Sequence, residues 1–243
     1  MNGNEYSEFR YLFPYMRLTF TSFAYIVKKS PKYKDVLMAK HKITAAPSVR
    51  RLPSYLYIVQ QAYKNNQEYI SGTVIAQELK LEPIQVRKDL AITGIVGRPK
   101  KGYLTGELMN AINRFLGWDT THKTVLIGAG NLGTALAGYQ EFRLHGIDIA
   151  AAFDNDPGKI GTTIHGVLVH PLDTLEKQIK RTGAKIAILT VPSEHAQEAA
   201  DRIVAAGISA IWNFTNRKLS VPDHVVVQKE DLTSGFALLS VMM

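Results

Sequence analysis

The sequence contains no cysteine among its 243 residues. Disulfide bonds, thiol catalysis and cysteine-ligated zinc are therefore excluded, and the composition is compatible with a reducing compartment. No uninterrupted apolar run approaches the roughly 20 residues that a helix needs to cross a bilayer. The only apolar run near the N-terminus is too short for a secretory signal and follows acidic residues. We therefore expect a cytoplasmic protein with no membrane partner.

Negative charge is scarce in the first half of the chain. Residues 1–120 hold 18 Lys and Arg against 9 Asp and Glu, whereas residues 121–243 hold 11 against 12. The whole excess of +8 therefore comes from the first half. Such asymmetry predicts a polyanion-binding module joined to a near-neutral one, although a solvated basic surface is the alternative.

The most informative stretch is residues 124–136, TVLIGAGNLGTAL. An apolar strand leads into Gly128, Gly130 and Gly133, which have the G-x-G-x-x-G spacing of a dinucleotide-binding unit. The first glycine permits a tight turn, the second lets a pyrophosphate approach the backbone, and the third allows close packing of helix on strand. The predicted phosphate contacts are Gly128, Ala129, Gly130, Asn131, Leu132 and Gly133.

A second apolar run, residues 147–153, ends at Asp154, which lies 21 residues after Gly133. An acid at that point can bind an adenosine ribose and disfavours a 2′-phosphate, so NAD(H) is the predicted cofactor. A glycine turn without nucleotide, or one holding coenzyme A, remains an alternative. Because ligands bind at the C-terminal ends of parallel strands, Val191 and Pro192 join the predicted crevice.

Residues 53–106 have the pattern of a small helical domain with a β-hairpin. A first amphipathic helix is followed by one capped by Ser71 and by a third that begins at Pro83. On the third helix, apolar side chains share one side, while Gln85 and Lys88 lie on the other with Arg87 at the flank. This division is the one that a DNA recognition helix requires.

A basic segment follows the third helix directly. Residues 95–96 and 103–105 are predicted to pair as a hairpin whose tip carries Arg98, Lys100 and Lys101. Helix-turn-helix followed by such a hairpin is a winged helix, and cations at the tip can contact phosphates or enter a narrow minor groove. The alternative is a helical cap with an exposed charged loop.

The N-terminal segment has no recognisable periodicity, whereas the segment after Asp154 has a regular one. Residues 1–45 show no sustained helical or alternating period, and we expect either a flexible arm or an over-long gene start, with Met38 as the alternative first residue. Strands and helices alternate after Asp154, which predicts a mainly parallel sheet. Asp231 is expected to cap a last helix with apolar residues on most of its surface, which either packs on its own domain or inserts into a partner subunit.

Six motifs follow one another along the chain: QVRKDL (85–90), GAGNLGTALAGYQEF (128–142), AAFDNDPGKIG (151–161), TVPSEHAQEAAD (190–201), AAGISAIWNF (205–214) and DLT from residue 231. In this order they resemble the bacterial Rex redox-sensing transcriptional repressors. The resemblance implies a homodimer that binds double-stranded operator DNA when the NADH/NAD⁺ ratio is low and leaves it when NADH binds. It also implies an α/β fold in which an N-terminal winged helix-turn-helix domain precedes a Rossmann domain and a domain-swapped C-terminal helix.

The resemblance assigns further residues by position. Lys159 is expected near the ribose, and Tyr139 and Asp231 match a switch between subunits whose third member is an arginine in the family but Tyr57 here. A phenol cannot make the bidentate ion pair that arginine offers a carboxylate, so the geometry of this switch differs. The residues expected to face DNA are Arg51, Gln85, Arg87, Lys88, Arg98, Lys100 and Lys101.

The predicted domains are an extension (1–45), a winged helix (46–118), a Rossmann domain (119–229) and the swapped helix (230–243). The leading hypothesis is a repressor that senses the NADH/NAD⁺ ratio, with no catalytic residues and no metal. The alternative is an NAD-dependent dehydrogenase with a basic accessory domain, for which His195, or else His165 or His170, would be the acid/base residue. A coenzyme A-binding Rossmann protein is the third hypothesis.

Overall fold

The computed structural model describes residues 46–243, so the predicted extension and the alternative start at Met38 lie outside the described residues. The chain divides into two compact units between Ile112 and Asn113, inside a helix. Among the described residues, no helix has both the length and the apolar character needed to span a membrane.

The first unit combines three helices and the first part of a fourth with a two-stranded antiparallel sheet. Its elements are α1 (Ala46–Lys64), β1 (Tyr69–Ile70), α2 (Gly72–Glu78), α3 (Pro83–Ala91), β2 (Tyr103–Leu104) and the first part of α4 (Thr105–Leu116). The predicted helix signals are confirmed, because the Ser71 side chain accepts a hydrogen bond from the backbone N–H of Val74 and Pro83 opens α3. The core consists of fully buried apolar side chains: Leu52, Val59, Ile75, Val86, Leu90, Leu108 and Ile112.

The predicted hairpin after α3 is wrong in its pairing. The strand Tyr103–Leu104 forms, but it pairs with Tyr69–Ile70 instead of residues 95–96. What remains of the wing is a tight turn closed by a single bridge between Arg98 and Gly102. The chain passes so close to β1 at Gly102, where φ is +91°, that a Cβ there would overlap the backbone of Ile70. This close approach places residues 103–104 beside Tyr69–Ile70, so the strand pairs there.

The second unit is a seven-stranded sheet with helices. Its elements are β3 (His122–Ile127), α5 (Asn131–Ala137), α6 (Gln140–Leu144), β4 (Ile147–Asp154), β5 (Thr163–Ile164), β6 (Val167–Pro171), α7 (Leu175–Thr182), β7 (Ile186–Leu189), α8 (Ala196–Ala205), β8 (Ala210–Asn213), β9 (Val226–Lys229) and α9 (Thr233–Met242). The strand order is β5-β6-β4-β3-β7-β8-β9, and only the β5–β6 pair is antiparallel. The predicted parallel sheet is confirmed.

The predicted cofactor crevice is bordered by the ends of three strands, and a break in the helix follows the glycine turn. Strands β3, β4 and β7 lie side by side with buried side chains, so their C-terminal ends meet at one edge. The helix after the glycines ends at Ala137, and the chain breaks between α5 and α6 at Gly138 and Tyr139. A Cβ on Gly138 would lie 2.6 Å from the His165 ring, so a larger residue at this position requires that ring to move.

The last helix, α9, is exposed along its whole length. Asp231 accepts hydrogen bonds from the backbone N–H and the hydroxyl of Thr233, as expected for a capping acid. Phe236 is 73% exposed and Leu239 60% exposed. The interpretation in which this helix packs on its own Rossmann domain is therefore wrong for the described chain, which leaves the helix without a partner.

Candidate functional site

The glycine turn, residues 128–133, has the geometry that its sequence predicts. Gly128 has φ +98°, and a Cβ there would lie 3.0 Å from the backbone of Thr190. A Cβ on Gly133 would overlap the carbonyl oxygen of Gly128, whereas a Cβ on Gly130 would meet no atom within 4 Å. The first and third glycines are thus required by the protein itself, and the second leaves open space beside the turn.

Thr190 supports this turn and was missed by the sequence reasoning. Its hydroxyl lies 3.1 Å from the carbonyl oxygen of Ile127 and 2.9 Å from that of Gly128. Its backbone N–H also donates to Ile127. Thr190 directly follows strand β7, the neighbour of β3, so a polar residue at that strand end was the available signal. Val191 follows it, half-buried against the sheet, and Pro192 begins the next turn.

Asp154 lies at the end of β4 and joins the strand end to the glycine turn. Its carboxylate accepts hydrogen bonds from the backbone N–H of Ala129 at 2.8 Å and of Asp156 at 2.9 Å, and from Lys159 Nζ at 3.2 Å. Burial alone would raise the pKa of Asp154, but these donors outweigh it and hold the pKa below its usual range. The carboxylate is therefore ionised at the edge of the crevice, beside Lys159.

Helix α3 presents the two sides that its sequence predicts. Val86 and Leu90 are buried, Arg87 and Lys88 are exposed, and Gln85 is half-buried. The side chains of Arg87 and Lys88 form no hydrogen bond or ion pair with the described residues. The exposed side of α3 can therefore offer two cations and one amide to a polyanion.

A buried carboxylate cluster lies beneath that side: Arg51, Tyr55, Gln85 and Asp89. Asp89 is fully buried, and its oxygens accept hydrogen bonds from Arg51 Nε at 2.6 Å, Arg51 Nη2 at 2.9 Å and the Tyr55 hydroxyl at 2.6 Å. Burial raises the pKa of Asp89, but the Arg51 and Tyr55 hydrogen bonds prevail and hold it at about 2. The ion pair binds α1 to α3, so Arg51 has a structural partner in addition to its predicted contact with DNA.

In the basic turn, residues 97–102, two cationic side chains contact Tyr69. Arg98 Nη1 donates to the Tyr69 hydroxyl at 2.7 Å, and its guanidinium carbon lies 5.5 Å from the centre of the ring. Lys101 Nζ lies 5.1 Å from the same centre. Lys100 has φ +61° and an exposed side chain at the tip. One tyrosine thus holds two of the three predicted cations at the surface, as cation–π contacts permit.

The predicted switch residues are exposed: Tyr57 lies in the first unit, and Tyr139 and Asp231 lie in the second. Tyr57 is 64% exposed on α1, and Tyr139 is 53% exposed at the start of α6, where its ring packs edge-on against Phe142. Tyr139 also lines a cleft of about 420 Å³ with Arg143, Leu144 and His165. Hydrogen bonds from Thr233 hold the pKa of Asp231 below its usual range, so this exposed acid is ionised.

Two family models match the chain, one in each unit. The model described as putative DNA-binding protein N-terminus matches residues 44–91, and that described as CoA binding domain matches residues 119–217. The first match contains α1 to α3, and the second contains the glycine turn and Asp154. The boundary between the matches agrees with two functional modules.

Several curated proteins similar to this chain are named redox-sensing transcriptional repressor Rex. The protein from Treponema denticola is 65% identical over 206 residues, which are 85% of this chain and 98% of that protein. The one from Bacteroides fragilis is 40% identical over 196 residues, which are 81% of this chain and 88% of that protein. The likeness therefore spans both units.

Solved structures of a Rex-family repressor also have a similar backbone fold. The structure of RSP with β-NAD⁺ and operator DNA is 37% identical and superposes with a TM-score of 0.77, over 81% of this chain and 91% of that one. The structure of RSP with β-NADH is 37% identical with a TM-score of 0.74, over 81% and 92%. RSP is described as a Rex-family repressor.

Proposed function

This chain belongs to the Rex family of redox-sensing transcriptional repressors, and from that membership we propose that it binds operator DNA and is released by NADH. It is a regulator and not an enzyme. The observation that supports the proposal is the combination of an open glycine turn beside an ionised Asp154 with a basic side of α3, which would serve as the two sites of such a regulator. A protein that binds the bacterial chromosome acts in the cytoplasm.

The proposed NAD(H) site uses the edge where β3, β4 and β7 end. The pyrophosphate lies along Gly128 to Gly133, the adenosine ribose hydrogen-bonds to Asp154, and Lys159 is beside it. Val191 and Pro192 line the crevice next to the turn. The space beside Gly130 supports this placement, since neither neighbouring glycine leaves such room. The bound nicotinamide ring differs in charge and planarity between NADH and NAD⁺, and that difference is what a sensor must distinguish.

The other two hypotheses have less support. His195, the first acid/base candidate of a dehydrogenase, is exposed on the short turn before α8, and the relatives that span both units are named repressors. The family model of the second unit is named for coenzyme A, but the 37% identical structures contain NAD⁺ and NADH. We therefore favour NAD(H) as the ligand.

The charge of Asp154 is expected to set the preference for NADH over NADPH. Replacing Asp154 with Asn removes the charge that repels a 2′-phosphate. The dissociation constant for NADPH divided by that for NADH should therefore fall about tenfold. Titration by tryptophan or nicotinamide fluorescence measures both constants. Asp148→Asn, a change of an exposed acid at the start of the same strand, should leave the ratio unchanged. An unaltered ratio in Asp154→Asn would remove Asp154 from the ribose site.

We propose that a second copy of the chain covers α9, which makes the protein a homodimer. The helix exposes apolar side chains that a monomer would leave in water, and burial of each Phe or Leu is worth about 1.5–3 kcal/mol. Tyr139 and Asp231, both exposed, are the proposed contacts that change between the two states of the dimer. Tyr57 replaces the family arginine and offers a hydroxyl in place of a charge.

A single change on α9 tests the dimer. Phe236→Ser is expected to weaken self-association by about 2 kcal/mol, roughly thirtyfold, because a large side chain no longer leaves water on association. Sedimentation velocity over a range of concentrations gives the constant. Ser240→Ala, on the same helix, serves as the control and should dimerise as the parent does. Equal association of Phe236→Ser and the parent would place the dimer contacts elsewhere.

The function itself is tested by a gel-shift titration of DNA fragments selected from the genome by the protein. We expect binding to weaken steeply with salt, because phosphates are neutralised by Lys and Arg. Addition of NADH should release the DNA at concentrations where NAD⁺ does not. Identical responses to the two forms would refute redox sensing, since a ligand shifts an equilibrium only through its differential affinity.

A further inference from the structure

We infer that Asp89 fixes the orientation of the Gln85 side-chain amide, so that Gln85 reads one A·T base pair in each half of the operator. The inference rests on the proposed function and adds to it a specificity-determining residue, Gln85, and a positioning residue, Asp89. Its basis is a contact at the boundary between the core and the exposed side of α3. Gln85 Nε2 donates to Asp89 Oδ1 at 2.8 Å.

The chemistry of Asp89 leaves only one amide orientation. With its pKa at about 2, the carboxylate is ionised at neutral pH and can only accept hydrogen bonds. Arg51 and Tyr55 occupy it from the side of α1, and both are donors. If the Gln85 amide rotated by half a turn, its oxygen would face the carboxylate and the two would repel each other. The NH₂ group is therefore held towards Asp89.

The fixed amide retains a defined pair of groups for a ligand. One N–H bonds to Asp89, which leaves the second N–H and the oxygen Oε1, and the residue is only half-buried. A donor beside an acceptor matches the N7 and N6 edge of adenine in the major groove, whereas guanine presents two acceptors there and cytosine a donor. Arg87 and Lys88 on the same side of α3 can neutralise the flanking phosphates.

The cluster also explains how a flexible glutamine can discriminate between bases. A free Gln side chain would lose rotamer freedom on binding, which reduces the discrimination that it provides. Here Asp89 is fully buried and held by three hydrogen bonds from α1, so the Gln85 amide is already positioned before DNA arrives. The alternative is that the Gln85–Asp89 pair only stabilises the helix, as pairs four residues apart do.

The test is selection from a randomised duplex library by the full-length protein, with sequencing of the bound fraction. Gln85→Ala should lose about tenfold preference at one base pair of each half-site and keep the preferences at all other positions. Gln85→Glu places a second carboxylate beside the ionised Asp89, which repels it, so this variant should lose the same preference. Gln77→Ala, a change of an exposed glutamine on α2, is the matched control and should give the parent profile.

Asp89 is tested by two variants that separate orientation from stability. Asp89→Asn permits both amide orientations and should reduce the preference at the Gln85 position alone. Tyr55→Phe removes a different hydrogen bond to the same carboxylate, so it should lower the melting temperature and leave the preference unchanged. Should Asp89→Asn not fold, Gln85→Glu decides: the parental preference in Gln85→Glu would overturn the role of Asp89, because a second carboxylate cannot be held against the first.

The outcomes separate this inference from the function on which it rests. A Gln85→Ala profile that equals the parent profile, with binding weakened equally at all sequences, overturns the inference and leaves the repressor intact. If the parent protein enriches no duplex at low salt, both the inference and the proposed repressor function are overturned. Loss of preference in Asp89→Asn and Tyr55→Phe alike also overturns it, because the effect would then follow stability.

Discussion

Replacement of Asp89 by alanine is expected to lower the free energy of unfolding of the first unit by about 3 kcal/mol. The change leaves the Arg51 guanidinium without its ion-pair partner and the buried Tyr55 hydroxyl without an acceptor. Breaking a buried pair by removing one partner costs about 3–5 kcal/mol, and we take the lower end because Arg51 is partly exposed. Domains have only about 5–15 kcal/mol in total, so this loss is severe.

Hydrogen exchange of the amides in α1 and α3 measures this effect in the intact chain, since it reports the opening of one unit. Glu78→Ala, a change of an exposed acid on α2, should alter the stability by less than about 0.5 kcal/mol. Equal protection in Asp89→Ala and the parent would show that the ion pair does not hold α1 to α3.

The cluster of Arg51, Tyr55, Gln85 and Asp89 also determines how the stability of the first unit changes with pH. The pKa of Asp89 is about 2, below its value of about 4 in an unfolded chain, so its contribution is present above pH 4 and is lost as the pH falls towards 2. The pKa of Tyr55 is raised to about 12 by burial and by Asp89, so its contribution is present below about pH 10 and is lost towards pH 12. Asp89→Asn should flatten the acid limb of a plot of melting temperature against pH.

Replacement of Gly130 by alanine is expected to reduce NADH affinity at least tenfold, about 1.4 kcal/mol, without loss of fold. The backbone at Gly130 has φ −77°, which any residue adopts, and an added Cβ would meet no protein atom within 4 Å. The methyl group therefore fits the protein and occupies the space in which the pyrophosphate is proposed to lie. Such a variant should remain on operator DNA at NADH concentrations that release the parent.

Two further glycines make the Gly130 result interpretable. Gly133→Ala should lose stability as well as affinity, because its Cβ overlaps the Gly128 carbonyl. Gly106→Ala lies in α4, where an added Cβ would sit 3.6 Å from the Tyr63 ring, and it should leave NADH affinity unchanged. Normal NADH binding by Gly130→Ala would exclude the pyrophosphate from the glycine turn.

The amino-acid sequence alone determined the features whose causes are local. The glycine spacing predicts the turn, and the roles of Gly128 and Gly133 follow from backbone crowding that the structure confirms. Ser71 and Pro83 mark helix starts correctly because capping involves only neighbouring residues. The alternation of apolar runs after Asp154 predicts the strands and helices for the same reason, and the mainly parallel order follows from right-handed crossovers between them.

Tertiary structure alone decided the features that need partners distant in the chain. Asp89 meets Arg51 across 38 positions, and Thr190 reaches Gly128 across 62, so no local pattern marks either contact. Tyr103–Leu104 has a strand composition, but its partner proved to be Tyr69–Ile70 because Gly102 passes close to that strand. A pattern of residues fixes which local structures are favourable, whereas the pairing of buried charges, hydroxyls and strands depends on which surfaces the fold brings into contact.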